Sequence, residues 1–383
     1  MSVLARVRRG GAALLILGAC GPLHAHGDEA AAAARLPQRV ALLVRAQAEL
    51  ERGDASAALD DFERAAMMLH AADAELGLIR AAMQDGQYRR ALAFCAHTAG
   101  EHDDDADGGA LYAWLLRIGG QADQASRTLA DARAHAPEDA IAAAVDRAFA
   151  SSPPVANDLL LQPLHRMAPW PVMLDAQAPP PLSVRFASNA VLVDDGANAL
   201  VPFASHAAFA HARVWVRDGL GRTTAATVDA SDATLASHGL ARLILRARMS
   251  VGASRAATGR APFAGSPGYA LQFGAGDGPA WPGLTQGFLG NGVGDTDRRR
   301  LGFDAGIGAA VLDAKGALVG IVTATTSGEA RWVPLSAVTS ADAFPTAATA
   351  GPVSPGLALL APDEIYEAGL RRVVQVLVAD DAR

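Results

Sequence analysis

The chain has 383 residues, of which 51% are hydrophobic and 19% charged, and its formal net charge is −7. This length and hydrophobic content suffice to bury two cores, which excludes an intrinsically disordered chain. The acidic balance argues against a nucleic-acid partner, and the acidity lies mostly in residues 28–147, which hold 21 acids against 12 arginines.

Residues 1–27 have the pattern of an export signal. Arg6, Arg8 and Arg9 precede the run GAALLILGAC, which is too short to span a bilayer as a permanent helix. The run ends in LGAC, which resembles the lipobox of bacterial lipoproteins, and the resemblance implies lipidation at Cys20. An ordinary cleaved signal is the alternative. Both predict the periplasm or cell envelope of a Gram-negative bacterium, with membrane contact only through a possible lipid anchor.

Residues 36–150 are rich in Ala, Leu, Arg and Glu and are predicted to be helical throughout. The segments LERGDASAAL, MQDGQYRRAL and RIGGQADQAS place glycines 33 and 34 residues apart, each followed five residues later by an alanine. These positions are Gly53, Gly86 and Gly120, with Ala58, Ala91 and Ala125. The spacing resembles that of tetratricopeptide repeats and implies about three helix-turn-helix units with an acidic concave surface for a protein or peptide. An unrelated alanine-rich bundle is the alternative.

Residues 151–183 contain eight prolines in 33 residues, which argues against regular helix and predicts a linker or an extended strap. Residues 184–340 then change character. Short runs such as VRFASNAVLV, ARVWVRD, GLARLILRAR and GALVGIVTA are separated by Gly-rich turns. This pattern predicts an antiparallel barrel or sandwich.

Three pieces of this region resemble the trypsin-like serine peptidases, especially the bacterial HtrA type. ALVPFASHAAFAHARVWVRDG is similar to the strands around their catalytic histidine, LARLIL to their third triad strand, and AVLDAKGALVGI to the hairpin after their nucleophilic serine. The resemblance implies a trypsin-like double antiparallel β-barrel behind the α-helical repeat array. It also implies a triad in the chain order His, Asp, Ser.

Two of the three triad positions lack the family residue. The histidine position falls on His206, but the aspartate position falls on Gly239 and the serine position on Ile307. Isoleucine has no lone pair with which to attack a carbonyl carbon, and loss of the nucleophile alone costs on the order of a millionfold in such triads. We therefore expect no catalysis and no bound metal or cofactor.

The former oxyanion loop, Ala305, Gly306, Ile307 and Gly308, is the predicted binding element, because its amides would still point into the cleft. These residues predict a non-catalytic exported adaptor whose repeats, and possibly whose cleft, bind a protein or peptide. Three alternatives stay open: an active endopeptidase with a non-standard nucleophile, a structural envelope lipoprotein scaffold, and a barrel without peptidase ancestry. The remaining residues, 341–383, predict a Pro/Ala linker and one C-terminal helix in APDEIYEAGLRRVVQVLV.

Overall fold

The computed structural model describes residues 26–101, 106–202, 209, 212–252, 262–292, 298–325, 327–338 and 359–380. Cys20 and His206 lie outside these ranges, as does most of the predicted linker 341–358. Residues 39–383 form one compact unit, and residues 1–38 form another. Within the described ranges, no helix combines the length and the apolar character needed to cross a membrane.

The described first part of the chain, residues 26–101 and 106–148, is helical apart from short connections, as predicted. Its seven helices are α1 (His26–Glu51), α2 (Ala55–Met68), α3 (Ala72–Asp85), α4 (Tyr88–Glu101), α5 (Ala106–Ile118), α6 (Ala122–His135) and α7 (Ala140–Ala148).

Glycine closes the first helix of each predicted unit. Gly53, Gly86 and Gly120 adopt the left-handed conformation, with φ of +83°, +82° and +85°. Side chains rarely tolerate this conformation, so glycine ends each helix at little cost and the chain reverses. The alanines five residues later, Ala58, Ala91 and Ala125, are fully buried. A methyl group at these positions allows the second helix to approach its neighbours closely.

The Pro-rich segment is an ordered strap, here defined as residues 151–183. It contains two 3-10 turns, Asp158–Leu161 and Pro163–His165, and the two-residue strand β1 (Val172–Met173). The strap follows α3, since Arg80 donates to the Pro163 carbonyl and the Trp170 amide donates to Gln84 Oε1 at 2.9 Å. Burial lowers the pKa of Arg80 to about 10, so its guanidinium stays charged at neutral pH. One face of α3 is thus covered by the protein's own chain.

The rest of the described chain is mainly β-structure. Its strands are β2 (Arg185–Val193), β3 (Asn198–Pro202), β4 (Ala212–Asp218), β5 (Arg222–Asp229), β6 (Leu240–Leu245), β7 (Pro267–Gln272), β8 (Gly283–Gly292), β9 (Arg299–Leu301), β10 (Ala310–Asp313), β11 (Leu318–Ala324), β12 (Ala330–Pro334) and β13 (Val373–Asp380). Two short helices accompany them, α8 (Ala233–Ser237) and α9 (Pro362–Gly369).

These strands close into two six-stranded antiparallel barrels. The first barrel has the order β2-β3-β6-β5-β4-β13 and closes where β13 pairs with β2. The second has the order β7-β8-β9-β12-β11-β10 and closes where β10 pairs with β7. β1 adds to the outside of the first barrel, parallel to β5. The predicted trypsin-like double barrel is therefore confirmed.

The C-terminal prediction is wrong in its second half. A helix covers Pro362–Gly369, but VVQVLV belongs to β13, which lies between β2 and β4. Residues 373–379 are all buried, because both faces of the strand meet protein. A mainly apolar run of this length fits a buried strand as well as a helix, and its four valines favour the strand. The predicted barrel segment 184–340 is also incomplete, since the first barrel needs β13.

The helical array packs directly on the barrels. The rings of Tyr88 in α4 and Tyr366 in α9 lie 4.3 Å apart between centroids. Arg89 forms ion pairs with Asp363 at 3.2 Å and Glu364 at 3.4 Å. At the far end, a Cβ built on Gly120 would lie 3.1 Å from the Leu284 carbonyl oxygen in β8. The array and the double barrel therefore share an interface along several helix turns.

Candidate functional site

A cavity of about 310 Å³ lies between the two barrels beside the predicted oxyanion loop. It is lined by Ser152, Pro153, Phe186, Ala187, Ser188, Asn189, Gln272, Phe273, Gly274, Ala275, Gly306 and Ile307. The set comes from the strap, from β2 of the first barrel, from the end of β7 and from the loop before β10. None of these side chains is charged, so the cavity is lined by apolar groups and amides.

The oxyanion loop folds into a tight turn. The Gly308 amide donates to the Val322 carbonyl at 2.8 Å, and the Ala309 amide donates to the Gly306 carbonyl at 3.1 Å. The Gly306 amide donates to Gln272 Oε1. Gly308 has φ of +84°, a conformation that favours glycine. The sequence motif therefore builds a well-held turn, although the serine is gone.

Asn189 fixes the first barrel against this turn. Its Oδ1 accepts from the Phe273 amide at 2.7 Å, and its Nδ2 donates to the Phe273 carbonyl at 3.4 Å. A Cβ at Gly308 would collide with the Asn189 carbonyl oxygen. The backbone of β2 thus approaches the turn so closely that only glycine fits. The position of the oxyanion loop is set by both barrels.

Ile307 occupies the position that the sequence resemblance predicts for a nucleophile. Its side chain is half-buried and packs against the core of the second barrel, which includes Val311, Val322 and Trp332. Within the described chain, the backbone amides of Ala305 and Ile307 donate to no protein acceptor. The turn therefore offers an apolar side chain and unused donors, which is a set suited to binding a carbonyl but not to attacking one.

The predicted position of the triad acid holds no carboxylate. Gly239 has φ of +75°, and a Cβ there would lie 3.1 Å from Nη2 of Arg298. The carboxylate of Asp232 accepts the Thr234 amide at 2.9 Å and the Leu235 amide at 3.1 Å, capping α8. Gly239 has no side chain that could accept a hydrogen bond from an imidazole, and its neighbour is a guanidinium, so this position cannot orient a histidine. His206 lies outside the described residues, so its place relative to Ile307 is not part of this geometry.

Several barrel hydroxyl groups that could stand in for a serine nucleophile bond to protein groups. Ser188 donates to the Asn189 carbonyl at 2.9 Å, Ser231 to Asp229 at 2.6 Å, and Thr325 lies 2.8 Å from the Ser327 hydroxyl. Thr323 is buried in β11, and its hydroxyl has no hydrogen-bond partner among the described residues. Ser205 lies outside the described residues.

Ser237 and His238 are a described serine and histidine in contact. The Ser237 hydroxyl lies 3.2 Å from Nδ1 of His238, but that same nitrogen lies 2.9 Å from the Thr234 carbonyl. A carbonyl can only accept, so Nδ1 carries the proton there and cannot take one from serine. This pair sits at the exposed end of α8 and does not form a catalytic base and nucleophile.

Sequence reasoning missed three of the residues that shape the cavity. Asn189, Gln272 and Phe273 belong to no motif, since they lie on two strands that are distant in sequence. One signal was present: Asn189 is a buried polar residue in the otherwise apolar run NAVLV. A buried amide needs partners, and the fold supplies them from the other barrel.

Comparisons with known proteins give matches among solved structures alone. No family model and no curated protein matches the chain. Among solved structures, the MamO protease domain from Magnetospirillum magneticum (apo form) is similar at a TM-score of 0.31 and 16% identity, covering 42% of this chain and 89% of that one. Deg5 is similar at a TM-score of 0.32 and 15% identity, covering 40% and 83%. Similarity at this level says nothing of activity.

Proposed function

We propose that this protein is a non-catalytic binding protein that uses the inter-barrel cleft of a former peptidase to hold a peptide segment. The observation that carries the proposal is Ile307, an apolar side chain in the nucleophile's place on an otherwise preserved turn. Gly239 supports it, because the position of the orienting acid holds no carboxylate. Binding without cleavage is the chemistry that such a cleft retains.

The lining of the cavity suggests the chemistry of the ligand. Phe186, Phe273 and Ile307 supply apolar surface, while the amides of Ala305 and Ile307 supply donors. Uncharged lining favours an uncharged, apolar side chain over a charged one, since a charge buried there would lack a partner. An extended peptide with an apolar residue, whose carbonyl accepts from the turn, fits this set.

The helical array is proposed to be tetratricopeptide-like. Its proposed role is to support the double barrel and not to bind the ligand itself. The sequence predicts a partner on the concave surface of the array. In the structure, the strap lies on α3, and every residue from Ala74 to Gln84 is buried. A partner would have to displace the chain's own Pro-rich segment from this face. The proposal therefore places ligand binding in the cleft.

Export and lipid anchoring through Cys20 remain part of the proposal and rest on the sequence pattern of residues 1–27. Mass spectrometry of the N-terminal peptide from membrane fractions tests this step. A diacylglycerol-modified Cys20 supports the lipoprotein. An unmodified N-terminus at a later residue supports the ordinary cleaved signal.

The test of catalysis uses a fluorophosphonate probe and fluorescent casein. We expect neither labelling nor cleavage by the purified protein. Labelling that disappears on mutation of one serine would overturn the proposal and establish the peptidase alternative.

The test of binding uses a random decapeptide library, from which enriched peptides are resynthesised with fluorescein. Ala275 lies exposed on the rim of the cavity, so Ala275→Arg should block entry and weaken binding about 10-fold or more without disturbing the core. Leu182→Arg, at an exposed position on the strap, is the matched control and should bind normally. If no peptide binds, or if both variants bind alike, the scaffold alternative replaces the proposal.

A further inference from the structure

Three metal-ligating side chains meet on the helical array, far from the cleft. His70 lies in the connection between α2 and α3, Glu75 lies in the first turns of α3, and His97 lies near the end of α4. One potential ligand atom from each side chain lies within 4.8 Å of the other two. Sequence analysis expects no metal, because spacings of five and 22 residues match no metal motif.

We infer that His70, Glu75 and His97 form a binding site for a divalent transition metal, with zinc as the preferred ion. The two Nε2 atoms lie 3.1 Å apart. Glu75 Oε1 lies 2.6 Å from Nε2 of His70 and 3.6 Å from Nε2 of His97. Tetrahedral zinc with bonds of about 2.0–2.1 Å places neighbouring ligand atoms about 3.3 Å apart. Two of the three separations are near this value, whereas the 2.6 Å between Glu75 Oε1 and Nε2 of His70 is a hydrogen-bond distance that metal binding would widen.

The proton arrangement is compatible with a cation at this point. Both imidazoles direct the same nitrogen, Nε2, toward one another and toward Oε1 of Glu75. If both nitrogens carried protons, they would oppose each other across 3.1 Å, and if both were bare, two lone pairs would face a carboxylate. One proton shared among the three atoms is the arrangement without a metal. A dication that displaces this proton satisfies the lone pairs of all three atoms at once.

A second residue holds the carboxylate in place. The Thr98 hydroxyl donates to Glu75 Oε2 at 2.7 Å, so that Oε1 is the oxygen directed at the histidines. Thr98 is fully buried, and the Glu75 side chain is 4% exposed. Outer contacts of this kind orient metal ligands and are part of most metal sites.

The histidine side chains are 56% and 46% exposed, so an ion can enter from solvent and keep water in its remaining position. Two imidazoles and one carboxylate suit zinc better than calcium or magnesium, which prefer oxygen ligands. The bound ion would join the α2–α3 connection to α4. The role assigned to the ion is structural, because it would hold the α2–α3 connection, α3 and α4 together.

The experiment uses the full chain without a polyhistidine tag, stripped with EDTA and dialysed. Titration with Co²⁺ should give tetrahedral d–d absorption at one equivalent per chain, which Zn²⁺ displaces. His97→Ala and Glu75→Gln should each lower the affinity about 100-fold or more, since even outer contacts are worth about 10–100-fold. Thr98→Val should lower it about 10-fold. Saturating Zn²⁺ should raise the melting temperature of the wild type but not that of His97→Ala or Glu75→Gln.

His135→Ala is the matched control, because His135 is an exposed histidine on α6 of the same array. It should bind Co²⁺ as the wild type does. The inference is overturned if the wild type gives no tetrahedral spectrum. It is also overturned if His97→Ala and Glu75→Gln bind as tightly as His135→Ala. Circular dichroism verifies that each variant is folded, and His97 is exposed enough for alanine to be tolerated.

Discussion

The two barrels have the same strand order but take their strands from the chain in different ways. The second barrel is one stretch, residues 267–334. The first takes five strands from residues 185–245 and its sixth, β13, from residues 373–380. β13 pairs with β2 and β4, just as β7 pairs with β8 and β10. A barrel closes only when every position around its circumference is filled by a strand. The part of the chain that supplies each strand matters less.

This difference gives the barrels different folding requirements. The second barrel can close when its own stretch is complete. The first must bring residues 373–380 back across the whole second barrel, which raises the contact order of folding. The first barrel also carries the extra strand β1, which the strap delivers from the array. Two strands attached to the first barrel, β1 and β13, thus come from outside residues 185–245.

The largest predicted effect comes from ending the chain after Arg372. This truncation removes Val374, Val376 and Val378, all fully buried, and leaves β2 and β4 each without a partner strand on one side. Burial of three valines is worth about 5–9 kcal/mol together, comparable to the whole stability of a domain. We expect loss of cooperative thermal unfolding in near-UV circular dichroism. A chain ending at Asp380 should unfold as the full chain does, and equal stability of both truncations would show that β13 is dispensable.

The second prediction concerns what fills each barrel. Trp332 is fully buried inside the second barrel, with its Nε1 donating to the Arg300 carbonyl at 3.2 Å. Trp332→Ala should cost about 3–5 kcal/mol in urea unfolding. Val216→Ala, in the mainly aliphatic core of the first barrel, should cost about 2 kcal/mol. Equal losses of unfolding free energy in the two variants would mean that the Trp332 side chain is not the centre of the core of the second barrel.

The third prediction tests how closely the barrels approach each other. Gly308→Ala should cost about 2–3 kcal/mol or more, because it adds backbone strain and a collision with the Asn189 carbonyl. Gly328 has the same φ of +84° but no atom within 4 Å of a Cβ built there. Gly328→Ala therefore shows the strain alone, about 1 kcal/mol. The difference between the two variants in urea unfolding measures the contact between the barrels. Equal losses of unfolding free energy in the two variants would mean that the backbone of β2 moves away from the new methyl group at little cost.

The smallest effect concerns the strap that leads into the first barrel. Nδ1 of His165 lies 2.9 Å from Oδ2 of Asp107 in α5, and this hydrogen bond raises the pKa of His165 above its usual value. The folded pKa thus exceeds the unfolded one of about 6.5. The pair stabilises the protein fully below about pH 6.5, and that stabilisation is lost as the pH rises through the folded pKa.

Because His165 is partly exposed, the expected change is below about 1 kcal/mol. The measurement is thermal unfolding of the wild type and of His165→Ala between about pH 5 and pH 9. The difference in melting temperature between the wild type and His165→Ala should become smaller as the pH rises. A difference that stays constant or grows would show that the His165–Asp107 pair does not stabilise the fold as described.

Sequence patterns predicted the local elements well where a physical signal was strong. Gly53, Gly86 and Gly120 end helices because each needs a left-handed conformation, and the repeat spacing exposed them. The LDAKG turn joins β10 to β11 as the predicted hairpin requires. The run VVQVLV was misassigned, because a strand buried on both faces has no alternation that distinguishes it from a helix.

By itself the sequence determined the helix turns and the double-barrel class, and it predicts that Ile307 and Gly239 replace catalytic residues. These depend on local backbone preference and on side-chain identity, both of which can be read along the chain. The tertiary structure alone decided that β13 completes the first barrel and that Asn189 joins the barrels beside the turn. It alone also placed the strap on α3 and brought His70, Glu75 and His97 together. Such contacts join residues far apart in sequence, and their free energy depends on geometry that no local pattern encodes.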